Sequence, residues 1–392
     1  MPPPPQNSPA LLHARAQKNL DERTARGRRR ELRVATPVRV NLADNDYLGL
    51  ANDEEIKNAV RAALASGPVS ASSSPLVRGY QEVHAKLEAN LCAWHDFPSG
   101  LVWNSGYAAN QSVIGMLAGP GDMIFADRLI HNSLVAGILK SGARFTRFEH
   151  NDLDELEKYL RDQPKAGSAR WVVTESVYSM DGDSPDLTRL AEMKRRHGFI
   201  WMLDEAHALG WYGNQGQGCA ATAGIAGEVD ILVGTFGKAL GWMGAYSLFH
   251  DPLLREALIN QAGEFIYSTY LTPLMAVAAQ AAIGRVRELA PQAETWRALS
   301  RQFREDLKAR GWQTAAGDSA IVPVVIGGDA RTLALHAHLL AQGFAVGAIR
   351  PPTVPEGTAR LRISLKATTT GAELNALLEA MDAWRAAQPP TP

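Results

Sequence analysis

Two short apolar runs each end in groups able to do covalent and acid–base chemistry. Phe199-Ile-Trp-Met-Leu-Asp204 delivers an aspartate, with His207 three residues on, and Val229-Asp-Ile-Leu-Val-Gly-Thr235 delivers a threonine, with Lys238 three residues on. Lys238 lies between Phe236 and Leu240 with glycines at 237 and 241. Burial there would lower its pKa and leave the amine able to attack an aldehyde. An aspartate at a neighbouring strand end could keep a pyridine nitrogen protonated, and His207 could face the phenolic oxygen of the same ring. That combination suits pyridoxal 5'-phosphate (PLP), which needs a lysine for its aldehyde and an acid for its ring nitrogen. Each residue alone has a plainer explanation: a surface lysine on a glycine loop, an aspartate capping the next helix, a histidine at a helix start. The two strand ends together favour the cofactor.

Other stretches add to this. Ser105-Gly106-Tyr107 stands where a strand gives way to a helix, and a glycine there lets backbone N–H groups approach a phosphate. The Thr235 hydroxyl could serve the same anion. His131 follows a short strand and could stack on a flat ring. Arg362, in Leu361-Arg-Ile-Ser-Leu365, invites a carboxylate, the alternative being an outward-facing arginine on an edge strand. Gly213-Asn-Gln-Gly-Gln-Gly218 lacks the strand-then-helix setting of a dinucleotide loop, and Thr235-Phe-Gly-Lys238 has too few glycines for a P-loop.

These residues need a scaffold that brings strand ends together. From Gly100 to Phe249 strand-like and helix-like patterns alternate, with strands expected at 100–104, 123–126, 144–148, 171–174, 200–203, 231–235 and 245–249. Such alternation predicts an α/β fold with a mainly parallel central sheet and flanking helices. The chain then reads as helical over 253–310 and closes with a smaller α+β segment: strands at 320–326, 346–349 and 361–365, a helix over 333–342, and another from Gly371. Upstream, 11–30 reads as a basic helix ending in Arg28-Arg29-Arg30, 38–42 as a strand and 53–65 as a helix. The expected organisation is an N-terminal arm over 1–50, with 1–10 disordered, a large cofactor-binding domain over 51–290 and a small C-terminal domain over 291–392.

The bulk composition excludes several classes. With 392 residues, 46% hydrophobic, 21% charged and a net charge of -1, the chain has no electrostatic reason to bind nucleic acid. Cys92 and Cys219 have no metal-type spacing, so no metal site is expected and a cytoplasmic, reducing setting fits. The proline-rich start lacks the apolar core of an export signal. The apolar window 231–249 imitates a membrane span but holds Lys238 and four glycines, so strand, loop and strand is the better reading and no membrane association is expected.

The chain resembles the α-oxoamine synthases, fold-type I PLP-dependent transferases that condense an amino acid with an acyl thioester. The resemblance rests on Asn45-Asp-Tyr-Leu-Gly-Leu50, Ser105-Gly-Tyr-Ala-Ala-Asn110, Thr174-Glu-Ser-Val-Tyr-Ser-Met-Asp-Gly-Asp183, Asp204-Glu-Ala-His207 and Thr235-Phe-Gly-Lys238. Ala348-Ile-Arg-Pro-Pro-Thr-Val-Pro355 and Gly357-Thr-Ala-Arg-Leu-Arg362 are most like the members that join L-alanine to a pimeloyl thioester. The resemblance implies Lys238 as cofactor lysine and proton-transfer base, Asp204 on the ring nitrogen, His207 on the phenolic oxygen and His131 stacked on the ring. It implies Gly106, Tyr107 and Thr235 on the phosphate, Ser179 near the cofactor, and Ser268 and Thr269 reaching the phosphate from a second subunit of a homodimer with shared sites. Arg362 and Asn45 would take the substrate carboxylate, and Thr353 with Arg29 or Arg30 the acyl end, delivered on coenzyme A or an acyl carrier protein. Other readings are a member using glycine or serine with a different acyl-CoA, an aminotransferase, or a scaffold in which Lys238 is a surface residue. The chain departs from the family at Ser70-Ala-Ser-Ser-Ser-Pro75, where a glycine-rich run is usual, and at Trp242 and Met243, where small residues are usual.

Overall fold

The computed structural model describes residues 8–32, 34–162 and 167–388. Helix α1 spans Ser8–Ala25, so Ser8, Pro9 and Ala10 are helical and not disordered; residues 1–7 lie outside the described residues. Proline is tolerated in a first helical turn, where its missing N–H has no acceptor to lose. The helix stops five residues before the expected Arg30, because Gly27 takes a left-handed conformation (φ +64°) that ends the spiral. No residue of α1 is buried.

Among the described residues the chain forms two sheets. The strands are β1 (Val40–Leu42), β2 (Ser99–Trp103), β3 (Met123–Asp127), β4 (Arg144–Phe148), β5 (Arg170–Glu175), β6 (Ile200–Asp204), β7 (Ile231–Thr235), β8 (Ala245–Phe249), β9 (Ile321–Gly327), β10 (Phe344–Ile349) and β11 (Ala359–Ser364). The large sheet has the order β2-β8-β7-β6-β5-β3-β4. β3 to β7 run parallel, and β8 is antiparallel to both β2 and β7. Burial on both faces explains the apolar runs Trp171-Val-Val173 in β5 and Ile231-Leu-Val233 in β7. The membrane-like window resolves into β7 and β8 paired across the loop that holds Lys238, and no helix of the described residues is long and apolar enough to cross a membrane.

The small sheet has the order β1-β10-β11-β9, so the N-terminal arm supplies a strand, parallel to β10, to the C-terminal segment. β11 lies between β10 and β9, and Arg362 is buried, which corrects the edge-strand alternative. The expected helical stretch 253–310 is broken at 267–272, where Thr272 caps the helix that starts at Pro273.

Helices α2 (Glu54–Ser66), α3 (Glu82–His95), α4 (Gly106–Leu117) and α5 (Asn132–Ser141) follow α1. Asp53 caps α2 and Ser105 caps α4 by accepting the N–H of Ala108. The Ser70–Pro75 departure leads into one turn at Pro75–Gly79. A Cβ on Gly79 would sit 2.3 Å from the Ser73 carbonyl, so only glycine closes that turn.

Candidate active site

The strands β5, β6 and β7 point their carboxyl ends at one cavity of about 200 Å³. Asp204, the last residue of β6, is buried; its Oδ1 accepts the Ala206 N–H at 2.8 Å and its Oδ2 accepts Asn110 Nδ2 at 2.8 Å. Lys238, on the turn after β7, places Nζ 2.8 Å from His207 Nε2. Burial lowers the lysine to about 8; the acidic neighbours Asp204 and, to the extent it ionises, Glu175 oppose that shift, and the Arg362 charge adds to it. His207 is pushed well below its ordinary value by burial first and by the Lys238 and Arg362 charges next, so its imidazole is neutral.

The phosphate-type features converge on the same cavity. The first N–H groups of α4, at Gly106 and Tyr107, have no intrahelical acceptor and face an anion favourably. A Cβ on Gly106 would stand 3.7 Å from Thr235 Oγ1, so the bare glycine keeps the floor open. Thr235 donates to the Gly244 carbonyl at 3.0 Å and accepts the Gly237 N–H at 3.2 Å. Tyr107 is exposed and donates to Asn132 Oδ1 at 3.1 Å. His131 caps α5, its Nδ1 accepting the Ser133 N–H at 3.2 Å, and burial and the Lys238 charge lower its pKa against the pull of Asp204.

Arg362 is buried beside the cavity and held on several sides. Nε donates to the Ser179 carbonyl at 2.6 Å, and Nη1 donates to Asn45 Oδ1 at 2.9 Å and Ser364 Oγ at 2.8 Å. Nη2 makes only a long 3.3 Å bond to the Tyr47 hydroxyl. A carboxylate would therefore meet Nη2, with the Asn45 amide nitrogen as a second donor, and the expected two-pronged fork would have to displace Asn45. Ser179 is buried and contributes its carbonyl to this cluster.

Ser268 and Thr269 lie outside this cavity, on the segment between two helices, where the Thr269 carbonyl accepts Asn104 Nδ2 at 2.8 Å. Arg30 and Thr353 meet elsewhere: Arg30 Nη2 donates to Thr353 Oγ1 at 3.2 Å, and both line a separate cleft of about 220 Å³ with Arg23, Arg28 and Arg350. Arg29 is exposed and outside that lining. Trp242 is partly buried and Met243 exposed.

Three residues in or beside the cavity were not singled out from sequence. Glu175 ends β5 directly opposite Asp204, is buried, and is raised to about 8 by burial first and the Asp204 charge second. Asn110 holds Asp204 from one turn inside α4. Tyr47 is fully buried, with its hydroxyl 2.6 Å from His207 Nδ1. Adjacent strand ends could have flagged Glu175, and the i, i+4 spacing from Gly106 could have flagged Asn110; nothing local marks Tyr47.

The residues present suit PLP. An acid and an amine face each other across the cavity, a helix start and a hydroxyl sit at one end, and the buried Asn110 Oδ1 has no partner within the protein. No group of His, Cys, Asp and Glu able to hold a metal occurs among the described residues.

Residues 37–381 match the family described as aminotransferase class I and II. The chain is 42% identical over 375 residues to 8-amino-7-oxononanoate synthase of Sodalis glossinidius, covering 95% of both chains. Among solved structures it is similar to serine palmitoyltransferase of Sphingomonas wittichii, with a TM-score of 0.86 and 28% identity over 96% of this chain and 97% of that one. It is also similar to 8-amino-7-oxononanoate synthase of Francisella tularensis, with a TM-score of 0.76 and 25% identity over 88% and 98%.

Proposed function

The chain belongs to the α-oxoamine synthases within the aminotransferase class I and II family, and from that premise we propose that it condenses L-alanine with a pimeloyl thioester, giving 8-amino-7-oxononanoate, carbon dioxide and the free thiol, a step of biotin biosynthesis. The observation that carries the chemistry is the depressed Lys238 amine, 2.8 Å from His207 Nε2, in one cavity with Asp204. The cofactor is pyridoxal 5'-phosphate; bound there, it supplies an electron sink for charge developing at the amino acid Cα.

The protein groups divide the remaining work. Lys238 would hold the cofactor's aldehyde carbon, and once displaced its neutral amine takes the proton from Cα. Asp204, fixed by Asn110 and the Ala206 N–H, would face the ring nitrogen. His207 would face the phenolic oxygen, His131 the ring, and Gly106, Tyr107 and Thr235 the phosphate. Arg362 and Asn45 orient the substrate carboxylate, which leaves as carbon dioxide after the new bond between Cα and the acyl carbon has formed and the thiol has departed. Lys238 returns the proton to Cα. The cationic cleft with Arg30 and Thr353 suits the anionic acyl substrate, carried by coenzyme A or an acyl carrier protein. Arg29 would act at its rim.

Ser268 and Thr269 lie away from their own cavity, which supports a homodimer in which the partner subunit's Ser268 and Thr269 complete each phosphate site. A cytoplasmic setting is part of the same proposal. The likeness to a serine palmitoyltransferase favours a second reading, in which serine or glycine meets a different acyl-CoA. Mass spectrometry of products from each amino acid with pimeloyl-CoA decides. The 8-amino-7-oxononanoate mass with alanine is expected, and preference for glycine or serine would overturn the assignment.

A further inference from the structure

The Tyr47 side chain, on the arm, reaches Arg362 of the small sheet and His207 just beyond the end of β6 in the large sheet. Its ring packs against His207 and Trp211, with centroids at 6.1 and 6.5 Å, and it is sealed from solvent. Its hydroxyl has three polar neighbours: His207 Nδ1 at 2.6 Å, Asn45 Oδ1 at 3.2 Å and Arg362 Nη2 at 3.3 Å. The guanidinium can only donate, so it takes a lone pair of the hydroxyl. The single hydroxyl proton must go to Asn45 or to His207. Asn45 Oδ1 already receives Arg362 Nη1 at 2.9 Å, whereas the contact to His207 is the shorter by 0.6 Å.

We infer that Tyr47 is a positioning residue that donates to His207 Nδ1 and so fixes the imidazole with its one proton on Nε2, the nitrogen that faces the cavity. His207 then presents a donor to whatever acceptor lies there. In the protein alone that acceptor is the Lys238 amine, 2.8 Å away, once it is neutral above about pH 8; below that its ammonium would itself donate to Nε2. On the function proposed above, on which this inference rests for its purpose, it is the phenolic oxygen of the cofactor, an acceptor. The opposite tautomer would turn a lone pair toward that oxygen and repel it. The groups that set the protonation of His207 from the packed elements are Lys238 on the loop after β7, Arg362 on β11 and His131 at the start of α5, and all three disfavour a second proton on the ring. Tyrosine is suited to the place because burial raises its pKa, keeping it a donor and not an anion.

The test is the solid-state ¹⁵N spectrum of the cofactor-free protein labelled at histidine, recorded at about pH 9.5 so that Lys238 is neutral, with the His207 signals assigned by their loss in His207→Gln. The wild type is expected to show Nε2 protonated and Nδ1 as an acceptor. In Tyr47→Phe, which keeps the ring and its packing, the share of the Nδ1-protonated form is expected to rise at least tenfold. A wild-type spectrum with Nδ1 protonated, or a Tyr47→Phe spectrum with the tautomer ratio unchanged, overturns the inference. Should Tyr47→Phe fail to fold, the wild-type spectrum alone decides. A protein that makes no product from alanine and pimeloyl-CoA yet shows the Nε2-protonated form would refute the reaction and leave the role of Tyr47 standing.

Discussion

Glu175 and Asp204 end adjacent parallel strands as direct neighbours, and both are buried. Two carboxylates so placed cannot both ionise cheaply, and Glu175 yields: burial, then the Asp204 charge, raise it from 4.5 to about 8. A folded-state pKa above the unfolded value means the native protein holds a proton that the unfolded chain releases. Stability from this group is full below about pH 4.5 and is lost as pH rises toward 8. The slope is about 1.4 kcal/mol per pH unit, or roughly 3 kcal/mol between pH 5 and pH 7.5. Glu175→Gln has nearly the same shape, can still accept the His131 N–H through its amide oxygen, and cannot titrate. Urea unfolding of the cofactor-free protein, wild type beside Glu175→Gln, should therefore give a stability difference that grows in favour of the variant across that window. Lys238 is shifted the other way, from 10.5 to about 8, so its contribution rises with pH only between about 8 and 10.5 and stays outside the comparison. A difference constant from pH 5 to pH 7.5, or one that grows against the variant, would refute the claim that Glu175 is held protonated.

Arg362→Lys removes the planar donor set that spans Ser179, Asn45 and Ser364, and a lysine cannot reach all three while still meeting a carboxylate. Its KM for alanine should rise by roughly a hundredfold, the equivalent of about 3 kcal/mol of charge-assisted bonding; an unchanged KM would place the carboxylate elsewhere. Gly182→Ala puts a Cβ 2.1 Å from the Ile321 carbonyl at a φ of +67°, so the chain at the Ser179 loop or β9 must move. A loss of about 3 kcal/mol is expected, read as a lower melting temperature. Mixing Lys238→Ala with a Ser268→Ala/Thr269→Ala variant, each inactive alone, should restore roughly a quarter of wild-type activity if subunits exchange and each site draws on both chains. No recovery in dimers shown by mass to be mixed would mean the sites are self-contained.

The cofactor centre was legible because its parts lie at the ends of short buried strands. Asp204 and Lys238 each follow a run that reads as β-structure, and their nearness follows from parallel neighbours. The phosphate end was legible through Ser105 and Gly106, where one pattern stops and the next begins. Glu175 was hidden because its meaning depends on register: a shift of one residue would face it away from Asp204. Tyr47 was hidden for a stronger reason. It lies in an irregular stretch of the arm after β1, and its partners, His207 and Arg362, are 160 and 315 residues away. The helix α1 was misjudged at both ends by features that act locally, Pro9 in the first turn and Gly27 at the stop.

The smaller α+β segment that closes the chain suggests a second unit from about residue 291, but the contacts around Arg362 tie it to the rest at the point where substrate is expected. The Ala367 N–H donates to the Tyr47 carbonyl at 2.7 Å, Ser319 donates to the Gly182 carbonyl, and Arg362 donates to the Ser179 carbonyl. Backbone carbonyls accept in all three, and the Ala367–Tyr47 bond is backbone at both ends, so no side-chain rotation can release that one. Arg362 is thereby fixed before any carboxylate arrives, which spares the ligand the entropy of ordering a long side chain. The same anchoring restricts which donors remain: with Nε and both Nη1 hydrogens engaged, the carboxylate must approach from the Nη2 side, where Tyr47 and Asn45 stand. Substrate orientation at this site is thus set as much by the arm as by the strand that carries the arginine.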